Sequence, residues 1–481
     1  MPRRVLLTHT DSPDIATAFA DLRENLEVSL DFPDDVKADA ERSAGSPRLP
    51  NVDETAIPFV TIDPPESMDL DQALYIERDG RGYRVHYAIA DVAAFVTPGG
   101  PMDVEAHARG QTLYAPDENA RLYPPELSEG AGSLLPGEPR PSILWTMDVE
   151  ASGEGVQVDV SRALVRSREK LDYAGVQRSL DDGSASESLQ LLREVGLLRQ
   201  EREARRGGIQ LPLPEQAVEK TTNGYAISFR APLRVEGWNA QISLMTGQAA
   251  AQLMLEARVG VLRTLPEADK GAIARLRRTA KALGVVWERE QTFADVIRGL
   301  DPTVPANAAF LDESTVLLRG SGYAAFDDQA PTQPRHAGVG AEYAHATAPL
   351  RRLVDRYVSE VCVAVSAGVE VPEWVHTALP QLPETMERSN RRAQQYEAGI
   401  ISTVEAAALT RSVGRVFDAV VVEVDKHGGG GTVQLVEPAV TAHCGGTLPL
   451  GERVEVRLVL ADIVKRQVRF ELAHPSQAAP A

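Results

Sequence analysis

The chain has 481 residues and a net charge of −19, and 43% of its residues are apolar and 25% charged. This length allows two or three domains, and the composition is typical of a soluble globular protein. No apolar run is long enough for a membrane span or a signal peptide, and 2 cysteines exclude a disulfide framework and a four-cysteine zinc site. We therefore expect a cytoplasmic, monomeric protein without membrane contacts.

The acidic net charge argues weakly against nucleic acid as a partner, but an acidic protein can still contain a basic channel. Arginines do cluster locally along the sequence. The clusters are Arg162, Arg166 and Arg168; Arg199, Arg202, Arg205 and Arg206; Arg275, Arg277 and Arg278; and Arg351, Arg352 and Arg356. Most such clusters are solvated helix faces, so a contact with an anionic ligand stays open for each.

A short helical segment, residues 1–45, begins the chain. Helices are predicted over residues 12–28 and 34–43. One face of the first helix carries Ile15, Phe19, Leu22 and Leu26. The segment is too small for a large core of its own, so it either packs against the next domain or makes a helix-turn-helix-like RNA contact.

Residues 46–408 are predicted to form the largest domain, in which sheets and helices are mixed. Strands dominate its first third, and the alternation in YRVHYAI, which starts at Tyr83, is typical of a half-buried strand. Helices are predicted from apolar spacings of three and four residues. They cover residues 185–207, 236–283, 348–366 and 380–410.

The last part of the chain, residues 409–474, is predicted to be a small separate β-barrel. The strand-like stretches RVFDAVVVEVD, GTVQLV and RVEVRLVLADIVKRQVRFEL, with the glycine run at residues 428–431, suit a barrel of OB-fold size. Residues 475–481 are predicted to be a disordered tail. The expected fold class is therefore α+β, with an N-terminal helical segment and a C-terminal barrel.

Three aspartates crowd into TIDPPESMDLDQAL, between two apolar, strand-like segments. Asp63, Asp69 and Asp71 repel one another unless a proton or a cation offsets their charge, and Mg²⁺ prefers such oxygen ligands. A carboxylate cluster at the end of a strand suits metal-assisted phosphodiester chemistry. The alternative is an acidic surface turn, which the apolar flanks argue against because they carry the loop into a core or cleft.

A second group of polar residues lies far downstream, in HAGVGAEYAHATAPLRRLVD. Pro349 suits the first turn of a helix, which places Arg351 and Arg352 in that turn. Arginines near a helix N-terminus are good phosphate ligands. The alternative for these arginines is a structural ion pair with a buried carboxylate.

At these residues the sequence resembles the ribonuclease II (RNB) family of 3′-to-5′ exoribonucleases. The motifs are TIDPPESMDLDQAL, HYAIADVAAFV, LYPPELSEGAGSLLPGEPR and HAGVGAEYAHATAPLRRLVD, which follow in the family's order. The similarity extends over roughly residues 30–475. It implies an α+β catalytic domain that forms an RNA channel, followed by an OB-type barrel of the ribosomal S-one type.

The resemblance also implies roles for individual residues. Asp63, Asp69 and Asp71 match carboxylates that hold Mg²⁺ at the scissile phosphate, and Asp71 matches the one usually regarded as indispensable. Tyr114 matches an aromatic that stacks on a nucleotide, which suits a sequence-blind nuclease because every base has a π face. Arg351 matches an arginine that grips the phosphate near the 3′ end, although it and Tyr114 could be ordinary ion-pair or core residues. Further RNA contacts are expected from Arg352, Tyr343 and His345.

Gln72 departs from the family, which usually has a fourth aspartate there. Its amide oxygen could bind Mg²⁺ as a neutral ligand, or its amide could donate a hydrogen bond behind the ligands. Weaker metal binding would raise the Mg²⁺ requirement or favour Mn²⁺. A second stacking aromatic, expected near residues 262–270, and the family's N-terminal cold-shock barrels are missing. The channel mouth is therefore expected to be more open and to tolerate stems with a short 3′ overhang.

The leading hypothesis is a processive hydrolytic exoribonuclease that takes single-stranded RNA by its free 3′ end. It would release nucleoside 5′-monophosphates by Mg²⁺-assisted attack of water. The alternative is a catalytically weak RNA-binding or regulatory protein that has lost turnover at Gln72. A metal-dependent nuclease for DNA or another phosphodiester stays open too, since no sequence pattern reveals a contact with the sugar 2′-hydroxyl.

Overall fold

Two helices and a two-residue strand begin the computed structural model, which describes residues 5–6, 12–209, 211–212, 215–221, 224–425, 429–435 and 437–473. They are β1 (Val5–Leu6), α1 (Ser12–Asn25) and α2 (Asp34–Gly45). The two helices agree with the prediction for the N-terminal segment. The predicted tail at residues 475–481 lies outside the described residues.

The apolar face of α1 is buried rather than presented to solvent. Ile15, Phe19 and Leu22 pack in one cluster with Tyr396 of the last long helix. Arg23 adds a hydrogen bond from its Nε to the Tyr396 hydroxyl at 3.0 Å. This packing favours the first of the two alternatives, a segment docked on the next domain.

The main domain is built on a six-stranded sheet with the strand order β6-β5-β4-β3-β2-β7. The strands are β2 (Phe59–Ile62), β3 (Gln72–Asp79), β4 (Gly82–Ala90), β5 (Arg140–Val149), β6 (Gly155–Val165) and β7 (Ser167–Leu171). Neighbours are antiparallel except β2 and β7, which run parallel. Strand β5 approaches the start of β4 so closely that glycine is required at Gly82, because a Cβ there would lie 2.3 Å from the carbonyl oxygen of Val149.

Helices cover this sheet, and three other strands form a second, separate sheet. The next elements are α3 (Pro101–Arg109), α4 (Tyr173–Asp182), α5 (Glu187–Arg205), β8 (Glu215–Thr221), β9 (Gly224–Arg230) and α6 (Arg234–Ala257). Strands β1, β9 and β8 form the second sheet. The largest apolar cluster lies between the central sheet and α2, α5 and α6, and it includes the buried Tyr87 and Trp145. Because the face of the sheet is buried, polar groups lie at the ends of its strands and in the loops that join them.

The predicted helix over residues 236–283 is wrong in its middle. The elements after α6 are β10 (Val259–Thr264), α7 (Lys270–Leu283), α8 (Phe293–Arg298), α9 (Pro305–Ser314), β11 (Gly322–Asp327), β12 (Arg335–His336) and β13 (Ala341–Glu342). α6 ends at Ala257, and the next residue, Arg258, has a left-handed φ of 61°. The short apolar run 259–264 is compatible with either a helix or a strand. Antiparallel pairing with β11, which lies far along the chain, makes it a strand, β10.

The helix predicted over residues 348–366 begins later than expected. The remaining helices are α10 (Leu353–Ser366), α11 (Glu373–Ala378) and α12 (Leu382–Leu409). Arg352 is extended, with φ −136° and ψ 126°, so Arg351 and Arg352 precede the first turn instead of lying in it. The reason is that the backbone here pairs with residues 110–112: Arg352 forms an antiparallel bridge with Gln111, and the Leu353 N–H donates to the Gly110 carbonyl oxygen at 3.0 Å.

The C-terminal strands close into a small barrel, as predicted. They are β14 (Val416–Val424), β15 (Gly430–Leu435), β16 (Thr441–Gly445), β17 (Arg453–Asp462) and β18 (Gln467–Leu472). β14 pairs with both β15 and β17, which closes the order β14-β15-β16-β18-β17. Val421, Val433 and Leu458 fill the interior. In the described part of the whole chain, no helix combines the length and apolarity that crossing a membrane requires.

Candidate active site

The aspartate-rich loop joins β2 to β3 at one end of the central sheet. Asp63 directly follows β2, and Asp71 directly precedes β3. Lys170, on the neighbouring β7, donates hydrogen bonds to the carbonyl oxygens of Pro65 and Ser67 at 2.6 and 2.5 Å. The parallel pairing of β2 and β7 therefore brings a cation to one side of the loop and fixes its backbone.

Ser133 fixes the same loop from the other side. Its hydroxyl donates to the Met68 carbonyl oxygen at 2.6 Å and accepts from the Leu70 N–H at 2.9 Å. Neither Ser133 nor Lys170 stands out in the sequence as part of the site. Both reach the loop from segments far along the chain, and no local pattern signals such contacts.

Burial raises the pKa of all three aspartates. Asp71 is 4% exposed, and its pKa lies well above the ordinary value because of this burial. The pKa of Asp63 is raised to about 6 by burial and by the charge of Asp69. The pKa of Asp69 is raised chiefly by burial. The ionised cluster thus costs free energy unless a cation compensates it, which does not fit the alternative of an acidic surface turn.

Asp71 joins this loop to the segment before α10. One of its carboxylate oxygens accepts a hydrogen bond from the Leu350 N–H at 2.7 Å, and the other lies 3.5 Å from Nε of Arg351. The Arg351 side chain is 42% exposed, so its guanidinium remains accessible to an anion. The structure therefore brings Arg351 beside the carboxylates, although Arg351 precedes α10 instead of lying in its first turn.

Arg352 is engaged elsewhere. Its Nε and Nη2 atoms each donate to the Asp355 carboxylate at 2.9 Å, and the Asp355 side chain is fully buried. This two-point pair matches the structural ion pair that the sequence left open for the arginines. The predicted contact of Arg352 with RNA stays a prediction, and its guanidinium has little exposed surface with which to make one.

Tyr114 lies at the edge of the carboxylate cluster. Its hydroxyl donates to Asp69 at 3.1 Å, and the residue is 48% exposed. Tyr114 belongs to the hairpin 113–120, in which Asp117 accepts hydrogen bonds from Arg23 of α1 on both carboxylate oxygens at 2.5 Å. A half-exposed ring beside the carboxylates is a suitable surface for stacking a base, and α1 helps to hold its hairpin in place.

Tyr343 and His345 belong to a cluster of rings next to the arginine segment. Their ring centroids lie 5.6 Å apart in an edge-to-face arrangement, and Nδ1 of His345 lies 2.8 Å from the Tyr323 hydroxyl. Burial lowers the pKa of His345 well below its usual value, so this ring is neutral at pH 7. Arg263 lies over the ring of Tyr323, its cross-strand partner, at 4.7 Å. This last pair could not be predicted from the sequence, because the apolar spacing predicted a helix where β10 lies.

Gln72 follows Asp71, but both ends of its amide are already engaged. Its oxygen accepts a hydrogen bond from the Tyr87 hydroxyl at 2.7 Å, and its nitrogen donates to the Thr347 carbonyl oxygen at 2.7 Å. The role of Gln72 as a neutral metal ligand stays a prediction. The contacts correspond to the other possibility, a hydrogen-bond donor behind the carboxylates.

The carboxylates form an oxygen-only donor set whose chemistry fits Mg²⁺. The Oδ2 atom of Asp63 is buried and has no hydrogen-bond partner among the described residues, a situation that a cation would relieve. In the same part of the chain, no group of three or more acidic, histidine or cysteine side chains is close enough together to hold an ion by itself. Mg²⁺ usually takes one or two protein carboxylates and completes its shell with water and phosphate oxygens, so this geometry suits a site completed by substrate.

Two family models match the chain. The RNB domain matches residues 52–367, and the RNase II-type exonuclease C-terminal S1 domain matches residues 415–473. The chain belongs to the RNB family. The carboxylate loop, Tyr114 and the Arg351 segment of this RNB protein lie within the first match, and the closed barrel corresponds to the second. The resemblance on which the sequence analysis relied is thereby confirmed.

The curated relatives of this RNB protein are longer than it is. Ribonuclease R 1 of Lactococcus lactis is 24% identical over 456 residues, which cover 85% of this chain and 55% of the relative. Matches to this and two other ribonuclease R relatives cover 85–89% of this chain but only 55–62% of the relatives' own length. Activities of whole relatives therefore do not transfer to it directly.

Solved structures agree with the fold. RNase R of Mycoplasma genitalium in complex with ribose methylated single-stranded RNA has a TM-score of 0.85 and 18% identity, and the match covers 95% of this chain and 78% of that one. Yeast Ssd1, described as a pseudonuclease, has a TM-score of 0.68 and 15% identity over 92% of this chain and 57% of that one. The same fold thus occurs in an RNA-bound RNase R and in a pseudonuclease. Catalytic turnover therefore depends on the residues of the site and not on the fold.

Proposed function

We propose that this RNB protein is a processive, hydrolytic 3′-to-5′ exoribonuclease that releases nucleoside 5′-monophosphates. The observation that carries the proposal is one loop with three carboxylates, Asp71 buried and Asp63 and Asp69 partly buried, beside one accessible guanidinium. Asp71 lies 3.5 Å from Arg351, and the pKa of Asp63 is raised to about 6 because it is buried near Asp69. Such a site is prepared for a cation and a phosphate together.

Each residue of the site has a defined task in this proposal. Asp63, Asp69 and Asp71 would hold Mg²⁺, for which Mn²⁺ could substitute, and such an ion would supply an activated water and neutralise charge on the phosphate. Arg351 binds a phosphate oxygen near the 3′ end, exchanging its long contact with Asp71 for one with substrate. Tyr114 stacks on a base and places the terminal phosphodiester over the carboxylates.

The proposed substrate is single-stranded RNA with a free 3′ end, since only an unstacked strand can be threaded towards a buried site. Structured RNA with a short 3′ overhang is a further proposed substrate. A tailed hairpin tests this point on a denaturing gel. Degradation into the stem supports it, and a stop at the first base pair limits the substrate to single strands.

A second candidate is an RNA-binding protein without turnover. Gln72, which stands where the family usually has a fourth aspartate, is the observation that favours it. The likeness in fold to the pseudonuclease Ssd1 is compatible with it. In this case RNA would bind near Tyr114 and Arg351, but no product would form.

The deciding experiment uses 5′-labelled single-stranded RNA on a denaturing gel, with Mg²⁺, Mn²⁺ or EDTA. The Asp71→Asn variant is compared with Asp31→Asn, a control at an exposed aspartate outside the site. The proposal predicts a uniform short product with metal that EDTA and Asp71→Asn abolish and Asp31→Asn preserves. Intact RNA in every lane, together with a shift on a native gel, would replace the nuclease proposal with the binding one. A single-stranded DNA of the same sequence tests for specificity towards ribose.

A further inference from the structure

Gln72 connects two parts of the chain that are far apart in sequence. Tyr87, whose hydroxyl donates to the Gln72 oxygen, lies on β4 and is 1% exposed. Thr347, whose carbonyl oxygen accepts from the Gln72 nitrogen, lies in the segment before α10 and is 2% exposed. The Thr347 hydroxyl also lies 2.8 Å from that of Ser243 on α6. One amide therefore fastens the segment before α10 to the central sheet.

Two adjacent residues of the chain hold this segment at two points. Gln72 binds the backbone at Thr347, and Asp71 binds it at the Leu350 N–H, 2.7 Å away. Arg351 follows Leu350 directly, so both hydrogen bonds contribute, with the backbone bonds of this segment, to its position over the carboxylates. Loss of the first bond would let the segment move relative to Asp71, and a misplacement of about 1 Å can cost about 100-fold in rate.

We propose that Gln72 is a positioning residue that holds the Arg351 segment over Asp71, and that it is not a ligand of the metal. The catalytic part of this inference rests on the proposed nuclease function. An amide can accept and donate at the same time, whereas an ionised carboxylate only accepts. An aspartate or glutamate at this position would face the Thr347 carbonyl oxygen with negative charge and leave that buried acceptor without its donor. Glutamine here is a different solution from the family's fourth carboxylate rather than a loss.

The first test compares the rates of Gln72→Glu and Gln72→Met with the parent protein. Both variants lack the donor to Thr347, so we expect kcat on single-stranded RNA to fall about 10-fold or more while the Kd for RNA stays within about threefold. A ligand role makes the opposite prediction for glutamate, because a carboxylate binds Mg²⁺ better than an amide. Activity of Gln72→Glu at or above that of the parent would therefore overturn the proposal.

The second test does not depend on turnover. The metal-free protein is titrated with Mn²⁺, and binding is followed by electron paramagnetic resonance. The Kd of Gln72→Met for Mn²⁺ should lie within about twofold of the parent value. A loss of Mn²⁺ affinity of about 10-fold or more would assign Gln72 as a ligand. Hydrogen exchange should become faster in the peptide 344–356 of Gln72→Met and stay at the parent rate in Tyr87→Phe, which keeps the bond to Thr347. Unchanged exchange in Gln72→Met would also overturn the proposal.

Matched controls separate the local effect from a general loss of structure. Gln190 lies far from Gln72 in the sequence, and its amide donates a hydrogen bond to the Ala185 carbonyl oxygen at 2.8 Å. The variant Gln190→Met is therefore a control for the loss of a glutamine amide. This variant should match the parent in rate, Mn²⁺ affinity and exchange of the peptide 344–356. If the parent cleaves no RNA, the proposed function fails, but Mn²⁺ binding and hydrogen exchange still decide the role of Gln72.

Discussion

Replacing Asp63 by asparagine should stabilise the metal-free protein in a pH-dependent way. The folded chain raises the pKa of Asp63 from 3.8 to about 6, through burial first and then the charge of Asp69. Each pKa unit corresponds to about 1.4 kcal/mol, so ionised Asp63 lowers the free energy of unfolding by about 3 kcal/mol above the folded-state pKa. Below the unfolded-state pKa the carboxyl is protonated in both states, and this cost vanishes. The cost therefore appears as the pH rises from about 4 to about 6.

Urea unfolding in EDTA measures this cost directly. Between about pH 4 and about pH 7.5, the difference in unfolding free energy between Asp63→Asn and the parent should grow by about 3 kcal/mol in favour of the variant. The buried amide lacks a partner at both pH values, so its cost is a constant offset. The control Asp31→Asn should follow the parent at each pH. A difference for Asp63→Asn that does not change with pH would refute the reasoning.

Adding Mg²⁺ to the same unfolding experiment tests the proposed metal site. A ligand at ten times its Kd stabilises the folded chain by about 1.4 kcal/mol, provided that it does not bind the unfolded chain. At about pH 7.5 the parent should gain this stability, and Asp63→Asn should gain less because it has lost one charged oxygen ligand. Equal gains in both proteins would place the bound Mg²⁺ away from Asp63.

Three further substitutions test other parts of the structure. Tyr114→Ala should weaken binding of a short single-stranded RNA about 10-fold in anisotropy titrations, since stacking on a base contributes about 1–3 kcal/mol, whereas binding by Tyr114→Phe should be unchanged. Arg23→Ala removes the ion pair with Asp117 that holds the Tyr114 hairpin, so the shortest RNA product on a denaturing gel should become longer. An unchanged product length would show that α1 does not help to position the Tyr114 ring. Arg356→Met leaves Asp103 buried without its partner at 2.6 Å and should lower the free energy of unfolding by about 3–5 kcal/mol in urea, and a loss below about 1 kcal/mol would contradict this.

Local patterns in the sequence were sufficient for much of the fold and for the centre of the site. The alternation in β4 and the short strands of the barrel are properties of neighbouring residues, so they could be read directly. The same is true of Asp63, Asp69 and Asp71, which lie in one loop between two apolar strands. The family motifs then related Tyr114 and Arg351 to these carboxylates, and the structure places both beside them.

Tertiary structure alone decided the contacts that adjust this site. Lys170 and Ser133 fix the carboxylate loop from distant segments, and the extended backbone just before α10 depends on pairing with residues 110–112. Long-range pairing also made β10 a strand within a predicted helix. The physical reason is that an amide or a carboxylate looks the same in any sequence until packing selects its partner. Gln72 could be named from the sequence as a departure, but only its distances to Tyr87 and Thr347 indicate what it does.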